Sequence, residues 1–192
     1  MTRDRQATTA RLLDAAFATL AGEGFAGFGI NAVARAAGCD KKLIYRYFDG
    51  LDGLLDAMGA RVAEDLVAAL APALDPPAAT YAEMIERLAL ALLAHQRSDP
   101  RFRLLRAAEL AGGSPSALRF QAARGRAMQD WMRQARGDLA PPEGVDAPAL
   151  NSVLIAAVEG LALSGGTGLD ADGGERLRHA LVHLVRRAYE PG

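Results

Sequence analysis

Cysteine is almost missing: Cys39 is the one thiol among 192 residues, which excludes an internal disulfide and leaves no thiolate cluster for zinc or iron–sulfur chemistry. Aromatic residues make up only 6%, and Val, Ile and Thr are sparse, so the composition disfavours β-sheet. Long apolar runs are missing too. Leu88–Ala94 is representative, far short of the ~18 residues that cross a bilayer. The N-terminal Met-Thr-Arg-Asp-Arg-Gln is too polar to read as a signal peptide, so a reducing, cytoplasmic setting is expected. Lysine occurs twice, as the adjacent pair Lys41 and Lys42.

What is present is apolar and helix-forming. Hydrophobic residues reach 51% and alanine alone supplies 41 positions, which excludes disorder and favours an all-α fold. The 20 Gly and 9 Pro follow no period, so collagen-like and low-complexity readings fail. Net charge is −1, too small for wholesale coating of a polyanion, and it is unevenly spread. Residues 1–50 hold seven basic against five acidic groups; the remaining 142 hold fifteen against eighteen.

Apolar positions Leu12, Leu13, Ala16, Phe17 and Leu20 recur at helical spacing and predict a first helix from about Thr9 to Gly22, stopped by Gly22 and Gly24. Phe25 and Phe28 then plug a small core. A short helix over Ile30–Ala37 presents Ile30, Val33, Ala34 and Ala37 on one face, with Gly38 as its stop and Asp40 as N-cap of a third helix, Lys41–Phe48. Two short helices joined by a glycine-containing turn make a helix-turn-helix, whose second helix enters the major groove of DNA. Such a helix needs donors on its outer face, and Lys41, Lys42, Tyr45, Arg46 and Tyr47 supply them within seven residues. Ile44 and Phe48 point the other way. Cys39, between the two helices, reads as a small core residue.

With those residues in place, Arg11–Ala57 resembles the N-terminal domain of the TetR family of transcriptional repressors. The resemblance is carried by Leu12–Ala16, Gly24-Phe25, Ile30-x-x-Val33-Ala34-x-x-Ala37-Gly38, Ile44-Tyr45-x-Tyr47-Phe48 and Leu54-Leu55, about a quarter of the chain in one ordered pattern. It implies DNA contacts from Asn31, Arg35, Lys41, Lys42, Leu43, Tyr45, Arg46 and Tyr47. Four positions depart from the pattern, one being Lys42, which stands where the family often has a small residue that lets the recognition helix approach the bases. Gly29 stands where the family usually places a threonine that touches phosphate, Asp40 where it places serine, and Leu51 where it places lysine. Lys41, Lys42 and Arg46 would have to compensate.

The domain boundaries expected are 1–50 for the helix-turn-helix domain and 51–192 for a helical ligand-binding and dimerisation domain, with the fourth helix, Leu51 to about Leu70, as connector. Pro72, Pro76 and Pro77 break the chain after it. Thr80-x-x-Glu83 is a capping box opening a fifth helix to about Gln96. Further helices are expected over Pro100–Leu110, from Ser114-Pro115 to about Arg136, from Asp146-x-Pro148 through Leu161, and from about Gly174 to Tyr189, making about nine in all. The resemblance implies an apolar effector pocket, for which the candidate walls are Met84, Leu88, Leu92, Phe102, Leu105, Glu109, Phe120, Met128, Trp131 and Met132. It also implies a dimer interface on the last two helices, with Val153, Leu154, Ala157, Leu161, Leu177, Leu181, Leu184, Val185 and Ala188 as candidates. Stripes of this kind serve a monomer core equally well.

No catalytic constellation emerges. His179 and His183 share a helix face but no third ligand follows at metal-site spacing. There is no Glu-x-x-His pair for a di-iron bundle, and the glycines at 165, 166, 168, 173 and 174 lack a preceding strand and a Lys-Ser/Thr. The expected protein is therefore no enzyme and has no cofactor. It is a homodimeric, ligand-responsive repressor of a near-palindromic DNA operator, released by a small apolar molecule, without membrane contact. The alternative expectation is a ligand- or partner-sensing helical module that has lost most DNA affinity.

Overall fold

A computed structural model describes residues 2–111, 113–163 and 171–190. Among them the regular elements are all helical: α1 (Thr2–Gly27), α2 (Ile30–Ala36), α3 (Lys41–Phe48), α4 (Leu51–Leu70), a 3₁₀ turn (Ala71–Leu74), α5 (Tyr81–Ser98), α6 (Pro100–Leu110), α7 (Pro115–Arg136), α8 (Ala147–Leu163) and α9 (Ala171–Tyr189). The all-α expectation holds, and α3, α4, α6 and α7 fall on the predicted limits.

The first helix differs from expectation at both ends. It begins at Thr2 rather than near Thr9; Thr8 and Thr9 lie inside the helix, their hydroxyls donating back to the carbonyls of Asp4 and Arg5, both at 2.9 Å, so neither caps a later start. Gly22 does not stop it. Gly24 interrupts it instead, with φ 63° and ψ −177°, a conformation that a side chain would strain. The loop glycines Gly165, Gly166 and Gly168 lie outside the described residues.

The chain forms two compact units, one of residues 1–65 and 101–130, the other of residues 66–100 and 131–192. The first has its core between α1, α2, α3, α4 and the start of α7. Leu12, Ala16, Val33, Ile44, Leu54, Met58 and Phe120 are fully enclosed there. Phe25 meets both Phe28 and Phe120, with ring centroids 6.4 and 5.7 Å apart. Helices α4 and α7 touch backbone to backbone: a Cβ on Gly59 would stand 2.7 Å from the Phe120 carbonyl oxygen and 2.9 Å from the Arg124 nitrogen. Arg119 of α7 ties the same contact from outside, reaching the Asp52 carboxylate at 3.0 Å and that of Asp56 at 2.6 Å.

In the second unit α5 packs against α8 and α9. Its buried face carries Tyr81, Met84, Ile85, Leu88, Ala89 and Leu93, met by Val158, Ala162, Leu181, Val185 and Tyr189. Polar groups are threaded through this packing. The Tyr189 hydroxyl donates to Asn151 Oδ1 and Asn151 Nδ2 donates to the Tyr81 oxygen, each at 2.9 Å, so one relay links the three helices. The Arg186 guanidinium adds an ion pair to Glu86 at 2.8 Å.

Candidate functional site

The helix-turn-helix is built as its sequence requires. Gly29 precedes α2 in extended backbone and offers no side-chain cap, in keeping with its lack of a hydroxyl. The chain leaves α2 through Gly38 at φ 60°, and the Cys39 N–H donates back to the Ala34 carbonyl at 3.0 Å. Asp40 caps α3, its carboxylate accepting from the Lys42 N–H at 2.8 Å. Cys39 is half-buried against the core.

This geometry divides α3 cleanly. Ile44, at 0% exposure, and Phe48, at 9%, anchor it in the core. Lys41, Lys42, Tyr45 and Arg46 are exposed, Leu43 and Tyr47 half-buried. Tyr45 stands 54% exposed although it is an aromatic residue. On α2, Asn31 and Arg35 are exposed as well. No side chain of Asn31, Arg35, Lys41, Lys42, Tyr45 or Arg46 has a hydrogen bond or ion pair among the described residues. Cations and phenols held outward without partners are what phosphate and base-edge contacts need.

One residue on this surface escaped the sequence reading. The guanidinium of Arg5, in the first turns of α1, lies 5.6 Å from the centroid of the Tyr47 ring, within cation–π range. It brings a further positive charge beside α3. Arg5 is 42 positions from Tyr47 in an all-polar stretch, so only the stacking of Arg on an aromatic face, which needs the fold, reveals it.

The candidate effector residues are dispersed. Met84 and Trp131 come together in a cleft of about 410 Å³ within the second unit, beside Leu74, Pro77, Leu139 and Arg136. Leu88, Leu92 and Met132 belong to the same unit without lining that cleft. Phe102, Leu105, Glu109, Phe120 and Met128 fall in the first unit. There Phe120 is core, Leu105 packs against the core, and Glu109, 5% exposed, is held by Arg106 and by Arg124 at 2.7 Å. The two guanidinium groups meet the charge of a carboxylate that the fold has taken out of water.

The candidate interface residues divide similarly. Leu181 and Val185, at 3% and 2% exposure, are core of the second unit, whereas Val153 and Leu184 stand 68% and 62% exposed, with Leu150 and Ile155 also uncovered. Ala157 is exposed; Leu154, Leu161, Leu177 and Ala188 are half-buried. His179 lies 3.4 Å from Glu175, and no group of three metal-ligating side chains occurs among the described residues. Among the described residues no helix is long and apolar enough to cross a membrane.

Comparison with known proteins accords with this geometry. Residues 12–58 match the family model for bacterial regulatory proteins of the tetR family. Solved structures share the fold along nearly the whole chain. A TetR family transcription regulator from Marinobacter aquaeolei superposes with a TM-score of 0.65 at 16% identity, covering 98% of both chains. The transcriptional regulator FadR from Bacillus subtilis, in complex with stearoyl-CoA, gives 0.64 at 14% identity over 92% of this chain and 96% of that one. NalD, the secondary repressor of the MexAB-OprM multidrug efflux pump in Pseudomonas aeruginosa, gives 0.63 at 17% identity over 96% of each. No curated protein matches the chain significantly. Residues 12–58 thus match the tetR-family N-terminal domain in sequence, and the chain as a whole shares the fold of solved TetR family transcription regulators.

Proposed function

We propose that the protein is a homodimeric transcriptional repressor that binds a near-palindromic DNA operator through α3 and releases it when a small molecule occupies the second unit. The observation that carries this reading is the two-faced α3: Ile44 and Phe48 fix it in the core while Lys41, Lys42, Tyr45 and Arg46 face outward with no partner of their own. A recognition helix lies in the major groove with its N-terminal residues at base edges, and here those residues are the chain's two lysines. Asn31, Arg35, Leu43 and Tyr47 flank them, and Arg5 extends the positive surface.

Dimerisation is supported by the uncovered apolar side chains of α8 and α9. Val153 and Leu184 are large apolar side chains left 68% and 62% exposed, Ala157 lies one turn after Val153 on the same face of α8, and exposed apolar surface marks association sites. Ala157 would allow close approach beside them. A two-fold axis would then present two α3 helices to two half-sites. The solved relatives bear on both halves of the proposal: NalD is a repressor and FadR is in complex with an acyl-CoA.

The test is selection of random or genomic duplex fragments by the purified protein at stated salt, with sequencing of the bound pool and the molecular mass measured in solution. The expected outcome is an enriched inverted repeat bound by a dimer. A folded protein that enriches no sequence contradicts the repressor reading and favours a sensing module without DNA affinity.

A further inference from the structure

The cleft in the second unit has walls of two kinds. One is the C-terminal end of α7 with the turn that follows, contributing Trp131, Arg136 and Leu139; the other is the 3₁₀ turn, the loop after it and the start of α5, contributing Leu74, Pro77 and Met84. Met84 is fully buried and forms the floor. At about 410 Å³ the space falls within the ~300–1,000 Å³ typical of small-molecule sites.

The loop wall is held in place. The Ala79 N–H donates to the Glu83 carboxylate at 2.7 Å, and the Glu83 N–H donates to Thr80 Oγ1 at 3.1 Å, closing a capping box. Arg87 donates to the Pro76 carbonyl at 2.7 Å and pairs with Glu83. The Ala79 N–H, chief among its neighbours, holds the Glu83 carboxyl below its ordinary range, so the carboxylate persists and the loop stays anchored at neutral pH. A wall fixed before binding lowers the ordering cost of a ligand.

The polar groups of the cleft are all donors at side-chain level. Arg136 is its one charged lining residue. Neither its guanidinium nor the Trp131 indole N–H has a hydrogen bond or ion pair among the described residues. Asp138, two residues along, lines no part of the cleft and makes no ion pair with Arg136. An apolar floor with an unneutralised guanidinium at its edge complements a molecule that joins an apolar body to an anionic head.

We infer that this cleft binds an amphipathic anion, its carboxylate or equivalent head on Arg136 and its apolar body against Trp131, Met84 and Leu74. The inference rests on reading the second unit as the effector-binding part and names the class of effector. The rival role for Arg136 is that of a solvated cation completing the C-terminus of α7, which would make the cleft indifferent to head-group charge.

Trp131 is the chain's single tryptophan, so its fluorescence reports this cleft alone. The full-length protein, without DNA, is titrated with decanoate, 1-decanol and decyltrimethylammonium below their micellar concentrations, following Trp131 emission and checking with equilibrium dialysis. Decanoate is expected to bind about tenfold or more tightly than either other head group at low salt, with the preference shrinking as salt screens the exposed guanidinium. Arg136→Met is expected to abolish that preference while leaving decanol binding and the melting curve unchanged, and Arg136→Lys to restore part of it. Equal binding of the three chains, absence of a Trp131 response, or an undiminished preference in Arg136→Met overturns the inference. Because DNA is absent from the titration, the two readings fail separately: loss of head-group preference leaves the repressor reading intact, whereas in a parallel assay on the operator-bound protein, tight decanoate binding that never releases DNA refutes the effector role and keeps the site.

Discussion

Arg5 lies over the ring of Tyr47, its guanidinium carbon 5.6 Å from the centroid, so the first turns of α1 and the last turn of α3 share one positively charged surface. The contact orients both side chains: the arginine gains a platform and the phenol is held from swinging across α3. If this surface meets a phosphate backbone, Arg5→Ala removes one charge per protomer and loosens Tyr47. DNA affinity should fall several-fold, and the slope of log K against log salt should become shallower by about 0.9 per protomer. Tyr47→Leu should reproduce the affinity loss without that change in slope. Fluorescence anisotropy across a salt series measures both.

Phe120 presents a different consequence, since a residue of α7 completes the core beneath the helix-turn-helix. Its ring is fully enclosed and packs on Phe25 at 5.7 Å. Phe120→Ala should cost about 3–5 kcal/mol of stability, read by urea unfolding, and should lower DNA affinity because the framework under α3 loosens. Phe120→Leu should cost less and largely preserve binding. An unchanged unfolding midpoint in Phe120→Ala would contradict the packing described.

The relay Tyr189–Asn151–Tyr81 makes a prediction on the alkaline side. Burial, aided by the neighbouring Tyr81, pushes the Tyr189 phenol up to about 12 from its ordinary 10. A phenol that ionises later in the folded than in the unfolded chain stabilises fully below pH ~10, and that stabilisation is lost as pH rises from about 10 to about 12. Ultraviolet titration should show a phenol ionising near 12 that disappears in Tyr189→Phe. Asn151→Ala strands both hydroxyls in a partly buried setting and should cost about 1–3 kcal/mol.

Sequence made some of this legible and not the rest, for physical reasons. Helix α3 could be delimited because Asp40 caps it locally and its apolar pair, Ile44 and Phe48, repeats at i, i+4; both signals are contained within nine residues. The start of α1 could not, because residues 2–8 carry no apolar stripe and the threonines satisfy themselves within the helix. An apolar stripe tells that a face is buried and not against what. Phe120 and Leu105 read as pocket walls and are packed in the N-terminal core; Leu181 and Val185 read as interface and are core of the second unit. Glu109 reads as a ligand-orienting acid, and only the fold shows Arg124, fifteen residues away, closing on it. Arg136, between Ala135 and Gly137 at a helix end, gives no signal until the loop bearing Pro77 is set opposite it.

The central claim is that the outward face of α3 reads DNA, and the pair Lys41 and Lys42 tests it most directly. On the enriched operator fragment, Lys41→Ala combined with Lys42→Ala should weaken binding at least about tenfold. It should also flatten the salt slope by up to about 1.8 per protomer, while the melting temperature stays at the wild-type value because both side chains are exposed. Wild-type affinity and slope in that double variant would contradict the account.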